Sequence, residues 1–329
     1  MIITNKNKNF WEIFQKMQPS DAWHCAELSK DGVNFNKQLA KDGSYKIEDQ
    51  SFIFMRDNDP LIAFIGSMVE KNGNKDLLCP QIPCYVLDNK SNFTKNATKS
   101  IIKHFDQILD KINGKVILRD YQVDSEISLL SKHMLSLGAT SQLVFRSVID
   151  LSISSETLKS NVRKSYGSLI NYGLKELDPK IIDSKTIEWK MFEEFKALHL
   201  REAGRETRSN ESWIRQYEAV KNDNAFLVLG YSNAELVSAG FFQTWRSNCY
   251  YGSSASRRDL FEKPIFHGLM WTAITHAKAI GCRWLDTGDQ VYPNQPFTKK
   301  PSDKELGISN FKSGFGGKVR CCIDFSIDM

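Results

Sequence analysis

The chain has 329 residues, 41% of them hydrophobic and 25% charged, with a formal net charge of +5. That length suits two ordinary domains rather than one small core, and the composition is that of a globular protein. The mild positive charge accommodates a phosphate-bearing ligand but lacks the basic stripe of a dedicated nucleic-acid binder.

No apolar run nears the roughly 18–20 residues that cross a bilayer, so no transmembrane helix is expected. The opening MIITNKNKNFWEIF has no apolar segment ahead of a small-residue cleavage site. It does not read as a secretory signal, and a cytoplasmic location is expected. The seven cysteines, Cys25, Cys79, Cys84, Cys249, Cys282, Cys321 and Cys322, are scattered. None forms a CxxC pair, and Cys79-x4-Cys84 has no histidine nearby, so reduced thiols and no metal site are expected.

Along the chain, PLIAFIGSMVE (60–70) and LLCPQIPCYVL (77–87) read as neighbouring strands split by Asn72-Gly73-Asn74. A helix through KSIIKHFDQILDKI stops at Asn113-Gly114. Strand KVILRDY, helix DSEISLLSKHMLSLG and strand QLVFRSVIDL follow. SSETLKSNVRKSYGSLINYGLKE (154–176) reads as one basic helix begun by Ser154 or Ser155, with Glu156 in its first turn. The next helix has a core face of Trp189, Phe192, Phe195 and Leu198. AFLVLGY, ELVSAGFFQTW and CYYGSSAS then form an antiparallel meander. Helix PIFHGLMWTAITHAKAIG, strand CRWLDTG, a Pro-rich loop and the glycine-rich closing segment GISNFKSGFGGKV complete the order.

Strands leading into a helix and back into a strand, twice over, predict an α/β (α+β) protein of two tandem domains with mixed sheets flanked by helices. The division is placed near residue 151, giving domains 1–150 and 151–329, with the connecting basic helix 154–176 in the second.

Several polar residues fall where such a fold opens a cleft. Arg163, Lys164 and Tyr166 on the connecting helix could clamp phosphate between domains, or lie on a solvated face. Arg205 leaves a helix end beside Arg201 and Arg208 and suits a phosphate-rich ligand; the helix dipole alone also favours arginine there. Of Tyr250 and Tyr251, one faces each side of its strand. Asp286 in RWLDTGDQ and Asp120 in VILRDYQ end strands, where open α/β sheets bind ligands; a plain turn residue is the competing reading. Lys312, between Phe311 and a run of glycines, could hold an anion, stabilise an oxyanion or sit in water. His267-Gly268 stands near a helix start, a place able to bind phosphate. No dinucleotide fingerprint, P-loop, GxSxG elbow or HExxH is present, which leaves hydride transfer, ATP hydrolysis and metallohydrolysis without support.

The order YYGSSAS … PIFHGLMWTAITHAKAIGCRWLDTGD … GISNFKSGFGG, preceded by VRKSYGSLINYGLK, resembles the Fem family of aminoacyl transferases over about residues 155–320. The resemblance implies two tandem GNAT-like domains. It also implies transfer of an amino acid from aminoacyl-tRNA, or of an acyl group in related branches, to the amine of a nucleotide- or lipid-linked envelope precursor. The family's Phe-Lys corresponds to Phe311-Lys312, which the resemblance places at the transfer site. Two features depart from the pattern: the chain is too short for the family's long helical arm, and RRDLFEKPIFHG replaces the acetyl-CoA signature of ordinary GNAT enzymes.

The expectation is therefore an acyl or aminoacyl transferase acting on peptidoglycan or an amino-sugar nucleotide or glycan. No tightly bound cofactor is expected; the donor, aminoacyl-tRNA or an acyl-CoA or other thioester, is a co-substrate. Lys312 would stabilise the oxyanion and Asp286 or Asp120 would take the ammonium proton. Arg163, Lys164, Tyr166, Arg205, Tyr250, Tyr251, His267 and Phe311 would bind substrate. The alternative is a non-catalytic module of the same duplicated fold that holds a nucleotide sugar or RNA.

Overall fold

The computed structural model describes residues 1–19, 22–79, 82–88, 93–121, 126–295 and 300–329. The chain divides into two compact units. Met1–Ala22, Val33–Val144 and Cys321–Met329 form the first; Trp23–Gly32 and Phe145–Arg320 form the second.

Elements of the first stretch are β1 (Ile2–Thr4), α1 (Phe10–Met17), α2 (Lys30–Asp42), β2 (Lys46–Asp49), β3 (Phe52–Arg56), β4 (Asp59–Ile65), β5 (Ser67–Lys71), β6 (Asn74–Leu78), β7 (Cys84–Asp88), α3 (Lys95–Leu109), β8 (Lys115–Asp120), α4 (Leu129–Ser136) and β9 (Thr140–Asp150). In the first unit β3, β4 and β7 are antiparallel neighbours, with Ile53 opposite Ala63 and Phe64 opposite Val86. Strand β8 joins β7 in parallel, Cys84 opposite Leu118. The expected strand at 60–70 is broken into β4 and β5, and β5 pairs instead with β2 and β6. Helix α3, capped by Thr94, buries Ala97, Ile101, Phe105, Ile108 and Leu109 in a core with Phe52, Phe64 and Leu118. Its stripe at helical spacing supplies that apolar face. Helix α4 begins after the Ser128 cap; residues 124–125 of the longer helix expected there lie outside the described residues.

The remaining elements are α5 (Ser155–Asn161), α6 (Tyr166–Leu177), β10 (Lys180–Ile182), α7 (Trp189–Ala203), α8 (Asn210–Lys221), β11 (Ala225–Ser232), β12 (Glu235–Trp245), β13 (Asn248–Ser256), α9 (His267–Ala279), β14 (Trp284–Asp289), α10 (Asp303–Ser313) and β15 (Lys318–Asp328). In the second unit β10 to β13 form an antiparallel run, and β14 joins β13 in parallel after the intervening α9. This repeats the order seen in the first unit, where α3 lies between the parallel strands β7 and β8.

Each sheet is closed by an antiparallel strand. In the first unit it is β15, with Phe325 opposite Leu118. In the second it is the end of β9, with Ile149 opposite Leu285. The division between the units thus falls at 144/145, and residues 23–32 and 321–329 group with the unit other than the one expected from a cut at 151. Alternation of apolar residues reveals a strand but not its partner, so QLVFRSVIDL disclosed β9 without disclosing where it pairs.

One local expectation is corrected. The basic segment 154–176 is two helices: α5 stops at Asn161, Val162 is extended, and the Arg163 amide donates to the Gly314 carbonyl at 2.8 Å. The glycine-rich closing segment is largely helical, although its glycines disfavour a helix. Ser302 accepts from the Glu305 amide while the Glu305 carboxylate accepts from the Ser302 amide, a reciprocal cap that starts α10 and outweighs Gly307. Among the described residues no helix is long and apolar enough to cross a membrane.

Candidate functional site

Strands β13 and β14 hold parallel register over three pairs, Asn248–Trp284, Cys249–Leu285 and Tyr250–Asp286. Beyond Tyr250 they part. Strand β13 continues to Ser256 past an irregularity that leaves Gly252 without an opposite on β12, between the Phe242–Tyr251 and Phe241–Ser253 pairs. Strand β14 turns at Gly288, whose φ is +97°. Lys312, from the last turn of α10, fills the space above that turn: a Cβ on Gly288 would meet its Nζ at 2.6 Å. The backbone angle favours glycine there, and a side chain would displace the ammonium from this spot. The Lys312 Nζ also stands 5.9 Å from the Tyr251 ring centre. Burial lowers the Lys312 pKa; Asp289 opposes that shift, Arg146 adds to it and Asp286 opposes it.

A cavity of about 1050 Å³ opens beside this point, its walls including Tyr251, Phe266, His267 and Phe311, with Arg205, Arg258, Lys263 and Lys304 also lining it. Its aromatic side is continuous. Tyr251 lies 5.6 Å from Phe266, Phe266 6.1 Å from Phe311, and Phe311 5.2 Å from His267. Tyr166 stands edge-on to His267 at 4.6 Å and to Phe315 at 5.2 Å. Burial lowers the His267 pKa, with the Pro264 carbonyl opposing. The imidazole is therefore neutral at physiological pH, not a cation for phosphate.

Of the residues singled out from the sequence, Tyr166, Tyr251, His267, Phe311 and Lys312 come together here, with Arg205 exposed in the cavity wall. Arg163 does not serve as a free phosphate clamp. Its Nη2 donates to the Asn310 carbonyl at 3.0 Å, Asn310 Oδ1 at 2.9 Å and Ser313 Oγ at 3.2 Å, strapping α10 to the start of α6. Lys164 is exposed. Asp286 is 2% exposed and cannot act as a ready base. Its carboxylate accepts from Arg146 Nε at 2.8 Å, Trp23 Nε1 at 3.3 Å and the Gly288 amide at 2.7 Å. Asp120 belongs to the first unit, where its Oδ2 accepts from the Ser128 amide at 2.8 Å.

Sequence reasoning missed Arg146, which is 4% exposed, bonds Asp286 and Asp289, and lies 5.4 Å from the Tyr250 ring centre. The available signal was a charge inside the apolar run QLVFRSVIDL, which implies a buried partner. It also missed the segment Trp23–Gly32, which carries no pattern of its own.

No family model matches the sequence, and no curated protein matches it. Solved structures do. FemX is similar at a TM-score of 0.65 with 13% identity, covering 93% of this chain and 97% of that one. The C-terminal domain of a putative lysylphosphatidylglycerol synthetase from Agrobacterium fabrum is similar at 0.55 with 11% identity, covering 96% and 90%. A tandem GNAT protein from the clavulanic acid biosynthesis pathway is similar at 0.53 with 8% identity, covering 100% and 97%. The fold is the tandem GNAT-like fold.

Proposed function

We propose that this chain is an acyltransferase that forms an amide on the amine of a cell-envelope precursor, using an aminoacyl or acyl group carried on an ester or thioester donor. One observation carries the reading: a part-buried ammonium, Lys312, held over Gly288 where β13 and β14 separate, beside the cavity. A donor carbonyl seated there would direct its oxygen to that nitrogen. Charge developing on the oxygen in the tetrahedral intermediate would then be offset by that part-buried cation.

The cavity supports the same reading. Its volume is at the upper end of small-molecule sites, its aromatic wall suits an apolar or planar group, and its four cationic side chains suit a phosphate-bearing carrier. A tRNA terminus and coenzyme A both meet that description. The resemblance to the Fem family, together with the fold shared with FemX, favours an envelope amine as acceptor.

Incubation of the purified protein with aminoacyl-tRNA or acyl-CoA and an amino-sugar nucleotide or peptidoglycan precursor should yield an acceptor heavier by one acyl group. Mass spectrometry reads this directly. Ribonuclease abolishes the product if the donor is a charged tRNA and leaves it if the donor is a thioester. Lys312→Met should lower turnover by about 10²–10³-fold, the scale for one lost oxyanion contact, at an unchanged melting temperature. Near-normal turnover in that variant would remove the ammonium from the mechanism.

A further inference from the structure

Lys312 can offset an oxyanion only while its ammonium keeps its place over Gly288, and a lysine carries that charge on a flexible stem. The helix turn that bears it must therefore be fixed. What fixes it bears on catalysis only if the chain is the transferase proposed above.

Lys312 lies in the last turn of α10, where the carbonyls have no partner further along the helix. One side of that turn is held by the chain just after β14. The Val291 amide donates to Ser309 Oγ at 3.1 Å, Ser309 Oγ donates to Gln290 Oε1 at 3.1 Å, and Gln290 Nε2 donates to the Ser309 carbonyl at 3.2 Å. The neighbouring side carries Asn310 and Ser313, whose spacing puts them on one helix face. Both are bound by Arg163 Nη2, at 2.9 Å to Asn310 Oδ1 and 3.2 Å to Ser313 Oγ, and the same nitrogen donates to the Asn310 carbonyl at 3.0 Å. The Arg163 amide donates to the Gly314 carbonyl at 2.8 Å. Tyr166, the first residue of α6, extends the contact: its hydroxyl donates to the Phe311 carbonyl at 3.3 Å and accepts from Arg163 Nη1 at 3.4 Å. A Cβ on Gly314 would meet the Tyr166 ring at 2.2 Å, so the turn rests directly on that ring. Backbone carbonyls before and after Lys312 are thus bound from the junction of α5 and α6.

We propose that Arg163 is a positioning residue for the transfer reaction, acting through the last turn of α10 to hold the Lys312 ammonium at the donor carbonyl. A guanidinium suits this task because its planar fork reaches several acceptors in fixed directions, which a lysine ammonium does not. A reacting group displaced by about 1 Å can lose about 10²-fold in rate. Arg163 touches no substrate in this scheme; its effect on the reaction passes entirely through Lys312.

The test is a double-mutant cycle over wild type, Arg163→Ala, Lys312→Met and the pair, with thermal melts of each. Amide formation is followed with whichever of aminoacyl-tRNA or acyl-CoA yields product on an amino-sugar nucleotide or peptidoglycan precursor. Arg163→Ala should lose about 10–10²-fold in kcat, with the KM of donor and acceptor within about twofold of wild type. In the Lys312→Met background the same change should cost less than about threefold, a silence that a general structural defect would not give. Arg163→Lys, which keeps the charge but not the fork, should fall between wild type and Arg163→Ala. It replaces the alanine variant in the cycle if that variant does not melt cooperatively. A loss below about tenfold in Arg163→Ala, a raised KM at unchanged kcat, or a comparable loss in both backgrounds overturns the assignment while the transferase reading stands. Absence of product from wild type, or near-normal turnover of Lys312→Met, sinks both.

Discussion

His24 is 2% exposed, and burial lowers its pKa to about 4, with the Cys25 carbonyl opposing and the charge of Arg246 adding to the shift. The unfolded chain titrates near 6.5. Between those values the unfolded state binds a proton that the folded state refuses. The stabilising contribution is complete above about pH 6.5, is lost as pH falls, and levels off below about pH 4. At about 1.36 kcal/mol per unit, His24 alone accounts for about 3 kcal/mol over that window. His199, lowered to about 4 by burial and then by Arg208, titrates in the same window. The melting temperature should therefore hold between pH 8 and 7 and fall steadily toward pH 4, with a shallower slope in His24→Gln. An identical slope in that variant would remove His24 as a source. Lys312 was legible for its setting among Phe311 and glycines. Gly288, whose missing side chain leaves room for its ammonium, lies in another segment, and only the fold brings the two together.

At the scale of elements, the local signals that reached the structure are those with local causes. Asn72-Gly73 places two positive φ values in the turn between β5 and β6, and Ser154 caps α5. What failed needed a distant partner: the break after α5 follows from the Gly314 carbonyl, supplied by a turn some 150 residues later. The packing of α6 on α9 shows the same limit. A Cβ on Gly173 would stand 2.7 Å from the Gly268 amide nitrogen, so the two backbones touch and His267 is carried to Tyr166. Gly173→Ala should cost about 1–3 kcal/mol, the range for overpacking a filled contact. Gly167→Ala, on the same helix with nothing within 4 Å of the added carbon, should instead gain about 0.5–1 kcal/mol. Urea midpoints separate the two; a Gly173→Ala chain as stable as wild type would show that α6 and α9 can separate without cost.

Over the whole molecule, the repeat of one topology was readable because the strand–helix–strand order occurs twice, while the ownership of the closing strands was not. That ownership has a measurable consequence. A fragment 1–150 would keep β8 but lose Cys321–Met329, leaving Leu118 without the partner Phe325, itself 2% exposed. A fragment 151–329 would lose the end of β9 and the Trp23–Gly32 segment, stripping Val148 and Ile149, each 1% exposed, from the second core. It would also leave Asp286 without Arg146 and Trp23. Removing one partner of a buried ion pair costs about 3–5 kcal/mol, comparable with the whole stability of a small domain. Each fragment alone should therefore lack a cooperative thermal transition and near-ultraviolet dichroism, and the two co-expressed should recover both, since the missing strands are then supplied in trans. A sharp transition from either fragment alone would mean that the closing strands are dispensable and that the division at 151 describes the folding units after all.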